Sequence, residues 1–195
     1  MKSVSIITRS IDQSSAESAF ARLSPDIVRT VTVRPNTSSR FLPSNPWRAG
    51  VSFHHLLERW TDDVRLTREE QALLPWIKAC RSLLTELGVG HVQTEASLAA
   101  FRDMPHGVCD ILTKGGPARL GVIEAKVVTT GSVEHPRERD LAQLGAYCHL
   151  AARHRDYDQV WAAMVYVELQ QRRVRLFGFE SARSLIFKTT ALLAA

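Results

Sequence analysis

The most constraining feature of this sequence is a pair of apolar segments that each carry charge where an apolar residue is expected. Asp110 lies in Gly107–Thr113, and Glu124 and Lys126 lie in Leu120–Val128, with a Gly-Gly turn between the segments. Their β-branched residues and the turn predict two strands joined as a hairpin. Residues at i and i+2 of a strand share a face, so Glu124 and Lys126 point the same way. Pairing of the two strands can bring Asp110 beside them.

The chemistry of these three side chains indicates a metal site. Two carboxylates that converge on one point repel each other unless a cation or a proton lies between them. Hard divalent cations such as Mg²⁺ prefer carboxylate oxygens as ligands. Leu120–Val128 is apolar on both sides of its charged pair, as a central strand would be, and unpaired charge is costly to bury there. A charged pair on the solvated face of an ordinary strand is the alternative, and the motif by itself leaves it open.

Length and composition predict a globular chain of one domain. It has 195 residues, of which 45% are hydrophobic and 23% charged, enough for a sizeable core. The net charge of +5 and the pI near 9.4 permit a polyanionic partner without requiring one. Residues 1–48 hold seven Lys/Arg against three Asp/Glu, which leaves 18 against 17 of the totals of 25 and 20 for the other residues. The basic surplus therefore belongs mainly to the N-terminal part.

Cysteine usage and hydropathy bear on the compartment. Cys80, Cys109 and Cys148 are widely spaced and form no CxxC pair, which argues against a zinc site or an iron–sulfur cluster. We expect reduced, buried thiols in a cytoplasmic protein. No apolar run reaches the length of a transmembrane helix, and the first residues do not form a signal peptide. No membrane partner is therefore expected.

The order of the periodic segments predicts an α/β fold. A helix is expected over 51–62, and Thr67 with Glu70 forms a capping box that opens a second helix. The remaining expected elements are strands at 92–101, 107–113 and 120–128, a helix from Pro136 to about His154, strands at 159–169 and 173–179, and a helix over 181–193. This order indicates a mixed sheet flanked by helices.

The N-terminal 48 residues are the least informative part of the sequence. Short strands are expected at 4–8 and 27–33, and the proline-containing stretch 34–47 reads as a loop. We predict that residues 1–48 form an accessory segment of unclear structure and that residues 49–195 form the main domain.

Three residues outside the hairpin are candidates for the same site. His54, on the first predicted helix, can add a nitrogen ligand to a carboxylate metal site, although such histidines more often lie at the edge of a core. Gln143 and Tyr147 stand at i and i+4 and share one helical face. Their amide and phenol can orient the lysine or contact a phosphate, and an ordinary helix surface explains them equally well. Glu95 interrupts the first predicted strand and is read as a solvated position.

Together these elements resemble the PD-(D/E)XK nuclease superfamily, and within it the RecB-like exonuclease branch. The resemblance covers residues 50–179, about two thirds of the chain. It consists of four loose motifs in the family's order, namely a helix with Gly50, His54, Leu57 and Glu58, a strand with Gly107 and Asp110, the Glu124-x-Lys126 pair, and the Gln143-x-x-x-Tyr147 helix. The four-cysteine iron–sulfur ligation of some RecB-like proteins and any helicase motif are missing from the sequence.

The resemblance implies a restriction-endonuclease-like three-layer core and a metal-dependent nuclease. By this likeness, His54, Asp110, Glu124 and the backbone carbonyl of Ala125 hold Mg²⁺ or Mn²⁺. Lys126 positions or deprotonates the attacking water, and Gln143 and Tyr147 support the site and touch substrate. The substrate is nucleic acid, DNA in preference to RNA. The implied function is a DNA exonuclease in repair, recombination or phage and mobile-element processing, with a helicase or recombination protein as partner.

Three alternatives remain open from the sequence. Viral cap-snatching RNA endonucleases use a similar set of a histidine, acids and a lysine in a domain of this size. A catalytically silent nucleic-acid-binding module would share the fold, although it has no need to keep Asp110, Glu124 and Lys126 together. A plain α/β domain with a coincidental motif is the third.

Overall fold

A computed structural model of the chain describes residues 15, 19–21, 23–59, 65–101, 104–152 and 159–194. Its strands are β1 (Ile27–Thr32), β2 (Val89–Leu98), β3 (Gly107–Gly115), β4 (Leu120–Val128), β5 (Val160–Glu168) and β6 (Arg173–Phe179). They form one six-stranded sheet in the order β1-β6-β5-β4-β3-β2. β4 and β5 run parallel and the other neighbouring pairs run antiparallel, so the sheet is mixed.

Two pairs of helices cover the two faces of the sheet. They are α1 (Pro46–Glu58) and α2 (Arg68–Glu86) on one face, and α3 (Glu138–Ala152) and α4 (Arg183–Ala194) on the other. Each face has its own apolar core, with Phe53 and Ile123 in the first and Leu144 and Val122 in the second. The adjacent β4 residues Val122 and Ile123 thus point into opposite cores, as strand geometry requires. The predicted mixed α/β architecture in three layers is confirmed, and it is consistent with a restriction-endonuclease-like core.

Local chemistry explains where α1 begins. The side-chain oxygen of Asn45 accepts the backbone N–H groups of Trp47 at 2.9 Å and Arg48 at 3.2 Å. Pro46 occupies the first turn, where its missing N–H is not needed. The helix therefore starts before Val51, its predicted first residue, because the cap and not the apolar period sets the beginning.

The capping box predicted for the second helix is present at the start of α2. The hydroxyl of Thr67 accepts the Glu70 N–H at 3.2 Å, and the Glu70 carboxylate accepts the Thr67 N–H at 2.8 Å. This reciprocal pair satisfies two of the N–H groups that a helix start leaves without partners.

The N-terminal segment contributes to the sheet. β1 pairs with β6, with Ile27 opposite Gly178, and the Asn36 side chain donates to the Gln71 carbonyl of α2 at 2.8 Å. The strand predicted at 4–8 lies outside the described residues, and the division at residue 48 stays a prediction. In the described part of the chain, no helix combines the length and apolar character needed to cross a membrane.

The ladder between β3 and β4 ends inside both strands. Its pairs run from Lys114–Leu120 to Ile111–Ile123, while β3 continues along β2 and β4 continues along β5. Asp110 and Glu124 are the next residues beyond the last pair. The two strands diverge there, and we call this opening the β3–β4 fork.

Candidate active site

The β3–β4 fork brings together side chains from all three layers of the fold. Asp110 and Glu124 come from the strands, and His54 reaches Asp110 from α1 on one face. From α3 on the other face, Gln143 contacts Lys126 of β4. The residues that the sequence singled out over a span of almost one hundred positions thus meet at one place.

One cluster at the fork has the composition of a metal site. His54 Nδ1 lies 3.3 Å from Asp110 Oδ1 and 3.7 Å from Glu95 Oε1. One ligand atom from each of these three residues lies within 4.8 Å of the other two. This spacing suits a single small cation bound by all three groups.

The second oxygen of Asp110 is held by the backbone. Asp110 Oδ2 accepts the N–H of Ala125 at 2.7 Å, so the carboxylate bridges the two diverging strands. Its side chain is almost completely buried. This bond fixes the orientation in which Asp110 Oδ1 faces His54. A metal contact through the Ala125 carbonyl stays a prediction.

A second group of contacts runs from Glu124 to α3. Lys126 Nζ donates to Glu124 Oε1 at 2.6 Å and to Gln143 Oε1 at 3.0 Å. The Gln143 amide nitrogen in turn donates to the Tyr147 hydroxyl at 2.9 Å. The i, i+4 pair on α3 therefore acts as one unit, in which Tyr147 orients the amide and the amide orients the ammonium group.

Burial and mutual repulsion shift the protonation of the two acids. Burial, and then the charge of Asp110, raise the pKa of Glu124 to about 8 despite Lys126. Burial also raises the pKa of Asp110, against the lowering effects of His54 and Lys126. Both acids are therefore harder to ionise here than in water, and a cation bound between them would favour their ionised forms.

The pKa values of the two cationic partners, His54 and Lys126, also rise, which in their case favours the charged form. Burial by itself lowers the pKa of His54, but its hydrogen bond with Glu95 and the charges of Asp110 and Glu124 raise it overall. Burial likewise opposes the charge on Lys126, yet Glu124 and Asp110 raise the pKa of the ammonium group above its usual value. Lys126 therefore stays charged at neutral pH.

A divalent cation fits these residues. Glu124 is 3% exposed, and its Oε2 accepts no hydrogen bond from the described residues, although buried acceptors are normally satisfied. One imidazole nitrogen and several carboxylate oxygens form a donor set that suits Mg²⁺ or Mn²⁺. A cation at the fork would also relieve the repulsion between Asp110 and Glu124.

Glu95 is the residue whose place in the site the sequence did not reveal. The sequence suggested a solvated strand position for Glu95. In the structure Glu95 lies on β2 with its carboxylate beside His54 of α1. Its backbone φ is +46°, a conformation that non-glycine residues rarely adopt and that is costly to maintain. The signal available in the sequence was an acid that interrupts a predicted strand.

A further contact fixes the start of α3. Tyr166 of β5, which pairs with Lys126 in the sheet, donates its hydroxyl to Asp140 Oδ2 at 2.8 Å and accepts the Arg137 N–H at 3.0 Å. Asp140 lies one turn before Gln143 on α3. The sequence marked neither Tyr166 nor Asp140 as a candidate, since a tyrosine in an apolar strand reads as a core residue.

An open cleft of about 630 Å³ leads to the fork. It is lined by Pro46 and Trp47 at the start of α1 and by Lys126 and Val127 of β4. His54, Glu95 and Asp110 lie in its wall. A ligand from solvent can therefore reach the metal-type cluster and the lysine together.

Comparison with known proteins finds distant structural likenesses. No protein-family model matches the sequence, and no curated protein matches it. Among solved structures, the chain is similar to an alkaline exonuclease from Laribacter hongkongensis, with 16% identity, a TM-score of 0.39 and coverage of 80% of this chain and 84% of that one. It is also similar to a protein designated SSO0001, with 13% identity, a TM-score of 0.36 and coverage of 74% and 71%. At such low TM-scores neither likeness assigns an activity to this chain.

Proposed function

We propose that this protein is a divalent-metal-dependent nuclease that hydrolyses phosphodiester bonds. The observation that carries the proposal is the fork itself, where His54, Glu95 and Asp110 offer ligand atoms within 4.8 Å of one another. Lys126 lines the same cleft. Cation ligands next to a fixed positive charge are what a site needs to bind a phosphate and stabilise charge that develops on it.

Asp110, Glu124 and His54 are the proposed ligands of Mg²⁺ or Mn²⁺, with Glu95 as an additional one. An ion bound there supplies Lewis-acid stabilisation of a phosphate oxygen and favours deprotonation of a water molecule. Asp110 is held for this role by the Ala125 N–H. Glu124 has one oxygen on Lys126 and the other without a partner among the described residues.

Lys126 is proposed to orient the nucleophilic water or a phosphate oxygen by donating a hydrogen bond. Because Glu124 and Asp110 raise the pKa of this ammonium group, it is poorly suited to act as a general base at neutral pH. Gln143 and Tyr147 hold the ammonium group in place through hydrogen bonds of 3.0 Å and 2.9 Å. We assign these two residues to positioning, with substrate contact left to Lys126.

The decisive experiment is a cleavage assay with purified protein and linear DNA. We expect cutting with Mg²⁺ or Mn²⁺ and none with EDTA. Asp110→Asn and Lys126→Met should remain folded and lose cutting, while Lys78→Met, an exposed lysine on α2, should cut like the wild type. Normal cutting by Asp110→Asn and Lys126→Met would place the active site elsewhere.

The finer assignments rest on the resemblance to RecB-like proteins. We propose DNA as substrate, cutting from an end, and a role in repair, recombination or mobile-element processing alongside a helicase or recombination protein. Linear DNA, covalently closed DNA and RNA in one competition assay separate these proposals. Preferential cleavage of the RNA substrate would instead favour a cap-snatching-like endonuclease.

A further inference from the structure

Trp47 is the most exposed of the large apolar side chains in the described part of the chain. Its exposed fraction is 74%, whereas Trp76 and Trp161 are fully buried. Trp47 lines the same cleft as His54, Asp110 and Lys126. An indole left in water at the mouth of a candidate active site contributes nothing to the core, so its position calls for another explanation.

The backbone beneath Trp47 is well defined. Asn45 accepts the Trp47 N–H at 2.9 Å and, through its own carbonyl, the Ala49 N–H at 3.0 Å. Pro46 further restricts the chain just before it. The indole is therefore presented from a capped helix start, which reduces the entropy lost when a ligand packs on it.

The cleft is lined by both apolar and ionic side chains. Pro46, Trp47 and Val51 supply apolar surface, and His54, Asp110 and Lys126 supply ionisable groups. Gly50 lies between Trp47 and His54 on α1, and an added Cβ there would meet no atom within 4 Å, so the helix surface there is open. A ligand that fills this cleft needs both an apolar, planar part and an anionic part. A nucleotide strand has both.

Helix geometry gives the distance between Trp47 and His54. Trp47 and His54 are seven residues apart on α1 and share a face, which at the usual rise per residue separates them by about 10 Å along the axis. Stacked nucleotides in one strand rise by about 3.4 Å each, so this span corresponds to about three nucleotides.

We propose that Trp47 is a stacking platform for an unpaired base of the strand being cut, about three nucleotides from the scissile phosphate. The inference rests on the proposed nuclease function and extends it to a substrate class, single-stranded nucleic acid or a frayed end. Stacking on an indole is tolerant of sequence because every base has a π-face. The proposed base is unpaired, because a base inside a duplex has both of its faces covered by stacked neighbours.

Binding is tested first, without cutting. Tryptophan emission is followed while a thymidine oligonucleotide is added in EDTA. We expect the oligonucleotide to quench the emission of the wild type and of Phe187→Leu, in which residue 47 is still tryptophan. We expect this quenching to be lost in Trp47→Leu. Phe187 is 58% exposed on α4 and belongs to the opposite face of the sheet, which makes it a matched control. Equal quenching in Trp47→Leu and the wild type overturns the proposal.

Cutting is tested with an abasic scan. A single abasic site is moved along the substrate, and we expect kcat/KM of the wild type to fall roughly tenfold at one position, the loss of one stacked base. Trp47→Leu should show no dip at that position, and Trp47→Phe should restore part of it. An equal fall in kcat/KM at that position in Trp47→Leu overturns the proposal. The exposed ring would then be read as a contact for a partner protein. Absence of any metal-dependent cutting refutes the nuclease proposal, while the emission titration still decides whether Trp47 stacks on bases.

Discussion

Asp110 and Glu124 follow directly after the last paired residues of β3 and β4, at the point where the two strands separate. The divergence leaves room for both acids in the interior, and the Ala125 N–H binds Asp110 across the gap. The same arrangement raises the pKa of Glu124 to about 8, through burial first and the charge of Asp110 second. The fork therefore holds two buried acids whose ionised forms a divalent cation would stabilise.

Metal binding should stabilise the folded protein. Mn²⁺ at a hundred times its dissociation constant is expected to add about 2.7 kcal/mol to the free energy of unfolding, which for a chain of this size corresponds to a Tm increase of roughly 5–10 °C. Asp110→Asn should abolish the increase, whereas Glu86→Gln, an exposed acid on α2, should retain it. Differential scanning fluorimetry with and without Mn²⁺ measures the effect, and an equal increase in Asp110→Asn would contradict the ligand assignment.

Without metal, stability should fall as the pH rises. The folded-state pKa of Glu124 is raised from its usual 4.5 to about 8, so between these values the folded chain binds more protons than the unfolded chain. The contribution of Glu124 to stability is therefore fully present below its unfolded pKa of 4.5 and is lost as the pH rises through its folded pKa of about 8. Urea unfolding in EDTA at several pH values measures this slope. Glu124→Gln should flatten it and Glu86→Gln should not.

Substitution of Glu95 should separate metal binding from stability. Its φ of +46° is a strained conformation for a residue with a Cβ, and glycine adopts it freely. Glu95→Gly is expected to keep or raise the free energy of unfolding, by up to about 1 kcal/mol, while it weakens Mn²⁺ binding. Isothermal titration calorimetry and urea unfolding report the two effects. Unchanged Mn²⁺ affinity would remove Glu95 from the proposed ligand set.

Loss of the α3 contacts should slow cutting without weakening substrate binding. Gln143→Leu removes the acceptor 3.0 Å from the Lys126 ammonium group, and we expect kcat to fall roughly tenfold or more with little change in KM. Tyr147→Phe removes only the acceptor of the Gln143 amide and should have a smaller effect. A change in KM alone would instead indicate that these residues bind substrate.

The helix that carries Gln143 and Tyr147 depends on a close contact with α4. A Cβ added at Gly145 would lie 2.2 Å from Thr189 Oγ1 and 2.8 Å from the Leu185 carbonyl. Gly145→Ala should destabilise the protein by about 1–3 kcal/mol through overpacking. Thr189→Ala in the same chain should restore part of the loss, since the clash with the Leu185 backbone remains. Urea unfolding of both variants tests this, and full stability of Gly145→Ala would contradict the predicted contact.

Much of the fold could be predicted because its signals are local. The capping box at Thr67 and Glu70, the β-branched strands and the Gly-Gly turn each depend on residues close together in the chain. The start of α1 was placed too late, since the Asn45–Pro46 cap was read as loop. The pairing of β1 with β6 joins residues far apart in sequence, and no local pattern specifies such a partner.

The sequence by itself determined which residue types were available at the site, and their unusual positions on apolar strands marked Asp110, Glu124 and Lys126 as candidates. Only the tertiary structure decided how they meet. It placed Glu95 beside His54, gave Lys126 two hydrogen-bond acceptors and set Trp47 in the same cleft. The physical reason is that a ligand cluster requires atoms a few ångströms apart. Such distances arise from the packing of helices on both faces of a sheet and from the divergence of β3 and β4, which periodicity along the chain does not encode.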